Sequence, residues 1–330
     1  MVDPNVIEKM LQEQLSPIAH LLKDDAITEI MVNGDGKVWV EQNSMAVNTG
    51  IVLSEGVRAL ALTTAAKSVN RDVKANSEDA LVSVSVGGFR LSGELFPIDR
   101  RGTTLCIRKH KDPFDRPSLN DLVKMEMLSV KQADFLLSEI VHNRQNAVFI
   151  GKTGSGKTTL ANAILGEISG DERIGIIEDA QELAPRLANF NAYLINNQAG
   201  VTARKLIVQS MRNTFDRLIV GESRGGDTYD LIRAMSTGHD GSMTTMHGRS
   251  ALKGLSLLER LYKESAPKDA STSTVDAREA IALAVQLAIF VSKTKVAQEE
   301  EGPRRVSRKV QEIAIIKGIN NHGNYEIEYA

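Results

Sequence analysis

The sequence of 330 residues has little of what marks several large classes of protein. It contains one cysteine, Cys106, which excludes an internal disulfide and a zinc site built from several thiolates. Aromatic residues make up 4%, and no basic stretch is interleaved with them, which argues against direct nucleic-acid binding. The longest apolar run, from Ala280 to Val291, is interrupted by Gln286 and falls short of the ~20 residues of a membrane-spanning helix.

Two further features of the sequence bear on the cellular compartment in which the protein works. Cys106 lies in the apolar run Leu105-Cys106-Ile107, and we expect it to be a small buried hydrophobic residue. The N-terminus, Met1-Val2-Asp3-Pro4, lacks the basic-then-apolar order of a signal peptide. We therefore expect a cytoplasmic protein, with peripheral membrane contact left open.

The composition is that of an ordinary globular protein. Hydrophobic residues make up 42% and charged residues 25%, and the length is that of roughly two domains. With 40 basic and 42 acidic residues the formal net charge is −2, which provides no global attraction to nucleic acid.

The first part of the chain, residues 1–110, predicts an α+β domain. Apolar residues at helical spacing indicate an amphipathic helix over 5–23. Asn33-Gly34-Asp35-Gly36 supplies turn dipeptides between two alternating runs, which is typical of a hairpin. The remaining predicted elements are a helix near 55–70 and strands near 81–86, 89–95 and 103–108.

Residues 111–122 contain Pro113 and Pro117 and no periodic pattern, which predicts a linker. Beyond it, residues 123–330 alternate between apolar strands and helical stretches, so we expect an α/β domain with a largely parallel sheet. A helix is predicted over 129–143, and a strand pair at the end of the chain around a charged turn at 298–304. The other predicted strands are 147–150, 173–177, 217–220 and 242–246.

The strongest motif is the segment Gly151-Lys152-Thr153-Gly154-Ser155-Gly156-Lys157-Thr158, which fits the phosphate-loop pattern G-x-x-x-x-G-K-[ST]. It lies between the predicted strand 147–150 and a helix that we expect from Thr159 onward. Backbone N–H groups of such a loop bind phosphate oxygens, and the following helix directs its positive end at them. Lys157 should reach the β- and γ-phosphates and the Thr158 hydroxyl should hold Mg²⁺, so the sequence predicts ATP binding. The predicted nucleotide-binding residues of this segment are Gly151, Thr153, Gly154, Ser155, Gly156, Lys157, Thr158 and Thr159.

Hydrolysis needs a carboxylate close to the γ-phosphate. Glu222 follows the apolar run Leu218-Ile219-Val220, and Glu178 ends another apolar run, so both are candidates at strand ends where ligands bind in open parallel sheets. From the spacing alone, Glu222 is as consistent with a solvated loop acid. His239 and His247 lie eight residues apart, and we favour His247 as a donor to phosphate over a metal ligand.

These segments, in this order, resemble the ATPases of type II and type IV secretion. The boxes are Gly151 to Leu165, Ile176 to Leu183, Asp216 to Arg224 and Gly238 to His247, which correspond to the family's Walker A, Asp, Walker B and His boxes. The sequence is most similar to the conjugal-transfer, TrbB-type branch, and the resemblance extends over most of the chain. One cysteine also leaves no room for the four-cysteine zinc insert of many type II members.

The resemblance implies an N-terminal sensing domain joined to a RecA-like motor domain, with six copies forming a ring. It further implies a motor at the inner membrane that hydrolyses ATP with Mg²⁺ and works with membrane-embedded channel proteins. By matching position, Glu178 is the Asp-box acid, Glu222 the catalytic Walker B glutamate and His247 the His-box residue. Arg90 and Arg108 match arginines that the family places on the phosphates.

The pattern departs from the family before the Walker B strand, where Thr214-Phe215 stands in place of Arg-Pro. Arg212 or Arg217 could replace the missing arginine. Three alternatives remain at this point: a type IV pilus or type II secretion ATPase, a nucleotide-switched scaffold, and a DNA-translocating RecA-like motor.

Overall fold

A computed structural model describes residues 4–42, 45–69, 71–86, 88–109, 116–268, 270, 273–295 and 306–330. The chain divides into two compact units, Met1–Lys111 with Val296–Val306 and Asp112–Lys295 with Ser307–Ala330. Both helices and strands are abundant, so the predicted α/β class is confirmed. Among the described residues, no helix combines the length and the apolar character that crossing a bilayer would require.

The first unit is an antiparallel sheet with helices packed against one face. The strands lie in the order β3-β2-β1-β6-β5-β4, and each neighbouring pair is antiparallel. Apolar side chains of the first and third helices, such as Leu11 and Leu62, pack with strand residues such as Ile30 and Ile107 in one core. The elements are α1 Pro4–Gln14, α2 Ala19–Lys23, β1 Ile27–Val32, β2 Lys37–Gln42, β3 Met45–Val52, α3 Glu55–Lys67, β4 Leu81–Val86, β5 Phe89–Glu94 and β6 Leu105–Lys109.

The expectation that Cys106 is buried was wrong. In β6, Leu105 and Ile107 point into the core, and the alternation of a strand therefore turns Cys106 to the opposite face, where it is half-buried. Its Sγ donates to Glu29 Oε1 at 2.6 Å. Burial and the neighbouring carboxylate raise the pKa of this thiol to about 12.

The second unit is an eight-stranded sheet covered on both faces. Its order is β14-β13-β12-β7-β11-β10-β8-β9, and the six strands from β12 to β9 run parallel. Two apolar cores lie on its two sides, one around Phe149 and the other around Ile150. The elements are α4 Leu119–Lys124, α5 Val130–Leu136, β7 Ala147–Gly151, α6 Lys157–Leu165, β8 Ile174–Glu178, β9 Phe190–Leu194, α7 Ala203–Ser210, β10 Arg217–Val220, α8 Thr228–Met235, β11 Met243–Met246, α9 Ala251–Ser265, α10 Thr274–Ala284, β12 Leu287–Lys295, β13 Val306–Ile319 and β14 Tyr325–Tyr329.

Several sequence expectations need correction in detail. The predicted first helix is two helices separated by a short 3₁₀ turn at Ser16–Ile18, which contains Pro17 at its start. Residues 119–122, which the sequence assigned to the linker, begin α4, because Ser118 and Asp121 form a reciprocal capping box. The other linker residues up to 115, and the predicted turn at 298–304, lie outside the described residues.

Three strands at the outer edges of the two sheets were not predicted from the sequence. They are β3, β9 and β14, and β9 lies in a stretch that we expected to be helical. Most of the side chains of β3 and β9 are exposed, so these strands lack the apolar alternation on which a sequence prediction depends. All three lie at sheet edges, and they leave the predicted central strands unchanged.

A fully buried arginine holds the starting end of β10. The Arg217 side chain is 0% exposed, and its Nε and Nη2 form a two-point contact with Glu172 at 2.6 and 2.8 Å. It also donates to the carbonyl oxygens of Ile140 and Val141. A Cβ on Gly241, where φ is +79°, would lie 2.2 Å from Arg217 Nη1, so only glycine fits there.

We predict that Arg217→Met lowers the free energy of unfolding by about 3–5 kcal/mol, because it removes the two-point contact with Glu172 and a donor to two buried carbonyls. Denaturant unfolding measures this change. Arg260→Met is the control, since it removes an exposed ion pair with Glu264 and should cost no more than about 1 kcal/mol. Equal losses in the two variants would contradict the structural role of Arg217.

Candidate functional site

The phosphate loop connects the end of β7 to the start of α6, as the motif predicted. Gly154 and Gly156 have φ values of +69° and +99°, a left-handed conformation that glycine adopts without strain. A Cβ on Gly151 would lie 2.4 Å from the Val291 carbonyl oxygen. The glycines therefore allow the backbone to turn tightly and to present its N–H groups beside the N-terminus of α6.

The polar side chains of this loop fit a phosphate ligand. Lys157 is 7% exposed, and its Nζ donates to the carbonyl oxygens of Gly151 and Lys152 at 3.0 and 3.2 Å. Burial lowers the pKa of Lys157, which an anion bound beside it would oppose. The Ser155 Oγ is buried and has no hydrogen-bond partner among the described residues, so it is available to a ligand.

Thr158 and Thr159 occupy the first turn of α6, and both are half-buried. A threonine hydroxyl directly after the phosphate-loop lysine is where Mg²⁺ is held in this type of loop, usually together with phosphate oxygens. Thr158 directly follows Lys157 at the start of α6, and its hydroxyl stays the predicted ligand of Mg²⁺. Thr153 lies in the loop and is exposed.

Glu178 ends β8 inside the protein. Its side chain is buried, and its Oε1 accepts hydrogen bonds from the backbone N–H groups of Glu182 and Leu183 at 3.1 and 3.0 Å. Burial raises the pKa of Glu178 to about 8, although these two hydrogen bonds act in the opposite direction. Glu178 thus fixes the loop that follows β8, and a Cβ on Gly221 would lie only 2.9 Å from its Cγ.

Glu222 follows β10, the neighbour of β8, and its two carboxylate oxygens meet different partners. Its Oε1 lies 2.8 Å from His247 Nε2, and its Oε2 accepts a hydrogen bond from Arg224 Nη2 at 2.6 Å. Arg224 Nη1 also contacts Asp179 Oδ2 at 2.7 Å. The structure therefore brings together Glu222 and His247, which the sequence predicted separately, at the edge where the phosphate loop lies.

Three further residues lie at these strand ends, and no sequence motif pointed to them. Arg224 contacts two carboxylates, and Glu182 lies close enough to Lys157 to favour its charged form. Asp227 is buried, its pKa is raised to about 6 by burial, and its Oδ2 has no partner among the described residues. The available signal was proximity in sequence to Glu178 and Glu222.

Arg217 does not replace the family's missing arginine. It lies at the start of β10, at the edge of the sheet opposite to the phosphate loop, and its donors are used by buried partners. Arg212 is exposed and follows the end of α7, which leads to the same starting edge. Parallel strands place their starts and ends at opposite edges, so this end of β10 is remote from the loop.

Arg90 and Arg108 lie directly opposite each other on β5 and β6 of the first unit. Arg108 Nη2 lies 3.3 Å from Glu29 Oε2, and Arg90 Nη2 lies 3.5 Å from Ser83 Oγ. Like charges in directly opposite positions destabilise an antiparallel pair, and a bound anion would remove that cost. The contact of these two arginines with phosphate stays a prediction.

Comparison with known proteins identifies the family. The model of the family described as "Type II/IV secretion system protein" matches residues 11–312. The chain belongs to this family. The resemblance inferred from the four boxes is thereby confirmed.

The relatives of this secretion-family protein include conjugation and type IV secretion proteins. It is 32% identical over 333 residues to the conjugal transfer protein TrbB of Rhizobium radiobacter, covering 99% of this chain and 94% of that protein. It is 31% identical over 265 residues to the type IV secretion system protein VirB11 of Brucella abortus, covering 72% and 73%. The crystal structure of the pilus retraction motor PilT with bound ADP has the same fold, with a TM-score of 0.60 at 18% identity and coverage of 95% and 84%.

We predict that the buried acid Glu178 makes the stability of this protein fall as the pH rises. Between pH 4.5, the ordinary pKa of glutamate, and about 8, the folded protein keeps a proton that the unfolded chain has released. Glu178→Gln cannot lose that proton. Relative to this variant, the parent should therefore lose up to about 1.4 kcal/mol of unfolding free energy per pH unit in this range.

Denaturant unfolding from pH 5 to pH 8 measures the difference. Glu264→Gln changes an exposed glutamate and is the control, whose curve should parallel that of the parent. If the Glu178→Gln curve also runs parallel to the parent, Glu178 is not the buried acid described above.

Proposed function

We propose that this protein is an ATPase that hydrolyses ATP to ADP and phosphate and powers a conjugal-transfer type IV secretion system. The observation that carries the proposal is that the phosphate loop, with its Lys157, and the Glu222–His247 pair lie at the same ends of the parallel strands. The two curated relatives named for conjugal transfer and for type IV secretion support the choice of system.

Each residue then has a defined task. The loop N–H groups from Gly151 to Thr159 and the start of α6 bind the phosphates, and Lys157 neutralises the β- and γ-phosphate charge. Glu222 accepts the proton of the attacking water, while His247 donates to the γ-phosphate. Glu178 holds the loop after β8 in place. Mg²⁺ held by the Thr158 hydroxyl would neutralise the charge that develops on the phosphate oxygens.

The proposal extends to the assembly. We infer an N-terminal sensing domain and a RecA-like motor domain in each chain, with six copies in a closed ring. The ring would lie at the cytoplasmic side of the inner membrane and act on membrane-embedded channel proteins. The full-length match to a conjugal transfer protein supports this arrangement.

We predict that Lys157→Ala and Glu222→Gln abolish ATP turnover in different ways. Lys157→Ala removes a phosphate contact, so it should lower both nucleotide affinity and turnover. Glu222→Gln keeps the shape but cannot accept a proton, so ATP should bind and persist while kcat falls at least about 100-fold. Nucleotide titration and phosphate release measure the two effects.

Circular dichroism should show that both variants are folded, since Lys157 at the start of α6 and Glu222 beyond the end of β10 lie outside the two apolar cores. Full turnover in a folded Lys157→Ala variant would contradict the proposed function. If Glu178→Gln stopped turnover and Glu222→Gln did not, the two glutamates would have each other's roles. ATP binding without turnover in the parent would favour a nucleotide-switched scaffold.

The opposed arginines of the first unit are proposed to hold nucleotide phosphate. Arginine suits this task because its planar fork contacts two oxygens and keeps its charge. We predict that Arg90→Ala and Arg108→Ala each lower kcat/KM by on the order of ten- to a hundred-fold, the value of a hydrogen bond to a charged group. Steady-state ATPase kinetics test this.

The matched control is Arg101→Ala, which removes an exposed arginine of the same unit that pairs with Asp99. It should retain the kinetics of the parent. Parent-like kinetics in both Arg90→Ala and Arg108→Ala would mean that the pair is a surface feature of the sheet and that phosphate is bound without it.

A further inference from the structure

We propose that Arg224 is a positioning residue that bridges Asp179 and Glu222 and so sets the orientation of the Glu222 carboxylate, the proposed base. The inference rests on the proposed function, because it assigns to Arg224 a task in the same hydrolysis step. Arg224 itself has no place in that step as described above. It acts on the base and not on the nucleotide.

The bridge uses both arms of the guanidinium. Nη1 lies 2.7 Å from Asp179 Oδ2, and Nη2 lies 2.6 Å from Glu222 Oε2. The contact with Glu222 is a charge-assisted hydrogen bond, and the contact with Asp179 is a close ion pair. The hydrogen bond to Glu222 is the main cause of the raised pKa of Arg224. The side chain thus connects the segment after β8 with the segment after β10.

This bridge controls where the second Glu222 oxygen points. A carboxylate rotates about its side-chain bonds unless one oxygen is held, and misplacement of a reacting group by about 1 Å costs on the order of 100-fold in rate. With Oε2 held by Arg224, Oε1 faces His247 at 2.8 Å. The orientation of the Glu222 carboxylate is therefore set by Arg224 on one oxygen and by the neighbouring His247 on the other.

The electrostatics of this edge also require a cation at the Arg224 position. Asp179 and Glu222 follow adjacent strands, and without a cation between them their charges would repel and turn Glu222 away. Lys157 is directed to the carbonyls of its own loop, so it does not take this position. Lysine at position 224 would supply the charge but not the fixed two-armed geometry.

The neighbouring Arg204 offers a matched comparison. Both arginines line one cavity of about 430 Å³ and are similarly exposed, with 46% for Arg204 and 55% for Arg224. Arg204, however, contacts the buried carboxylate of Asp230 at 2.7 Å, and no ion pair joins it to Glu222 in the part of the chain that the structure describes. Removing Arg204 should therefore disturb stability but not the base.

The first test needs no turnover. Thermal unfolding of the nucleotide-free full chain is measured for Glu222→Gln, Arg224→Gln and the double variant. If the bridge exists, the double variant should melt at a temperature clearly above that expected from the sum of the two single shifts. Additive shifts would overturn the proposal. This experiment therefore tests whether the Arg224–Glu222 contact exists even if the protein does not hydrolyse ATP.

The second test measures kcat and KM for ATP separately. Arg224→Gln should lower kcat at least about tenfold and leave KM within about twofold, because the nucleotide contacts are intact. Arg224→Lys should recover part of the loss. Asp179→Asn should lower kcat less than Arg224→Gln does, and the double variant should be no slower than Arg224→Gln alone, because Asp179 acts through Arg224.

Arg204→Gln is the control variant. We expect it to have a lower melting temperature than the parent and the same kcat per folded protein. Parent-like kcat in folded Arg224→Gln, or multiplying effects of Asp179→Asn and Arg224→Gln, would overturn the inference while an active parent upholds the proposed function. A parent without turnover contradicts the proposed function, and the melting experiment then decides the bridge by itself.

Discussion

The site depends on one constraint, the burial of the parallel strands on both faces. Every residue of β7, β8, β10 and β11 is buried, so these strands have no room for polar side chains that meet solvent along their length. Groups that bind or react must follow the strand ends. Because the strands are parallel, their ends meet at one edge, and the phosphate loop, Glu178, Glu222 and His247 are collected there.

The same burial raises the free-energy cost of a charged side chain at these strand ends. Three charged residues there meet this cost with different partners. Glu178 is buried with its carboxylate on two backbone N–H groups, and burial favours its protonated form. Lys157 is bound by loop carbonyls. Glu222 is contacted by Arg224 and His247, which are both exposed to solvent by about half. The group proposed for proton transfer is thus the one with accessible partners, whereas the buried Glu178 is a structural support.

The arrangement of the site at the strand ends also explains which of its residues could be predicted from the sequence. The phosphate loop is one continuous segment, so its residues and their conformation were predictable from spacing alone. The acids Glu178 and Glu222 could be placed at strand ends, since an apolar run followed by a carboxylate is visible in one dimension. The Arg224 contacts were not predictable, because they depend on the register in which Ile177 pairs with Val220.

The elements that escaped prediction share a physical cause. Edge strand β9 is largely exposed, so no apolar pattern distinguishes it from a loop or a short helix. Cys106 lies between apolar neighbours, and only the alternation of β6 reveals that it faces the other side of the sheet, toward Glu29. Arg217 reads as a charged residue before a strand, although its partners are carbonyls and an acid far away in sequence. Each of these features is set by tertiary contacts.

Strand β10 illustrates how one residue type can serve two opposite purposes. Arg217 at its start is fully buried, and two of its partners are backbone carbonyls that cannot exchange for solvent without exposing the core. Arg224 beyond its end is half-exposed, and its partners are two carboxylates, one of which is the proposed base. Water can compete for the second arginine but not for the first. The start of β10, remote from the phosphate loop, is therefore held by a buried contact that solvent cannot replace. The segment after its end is held by contacts that solvent can reach. The two arginines differ in this respect because one is buried and the other is half-exposed.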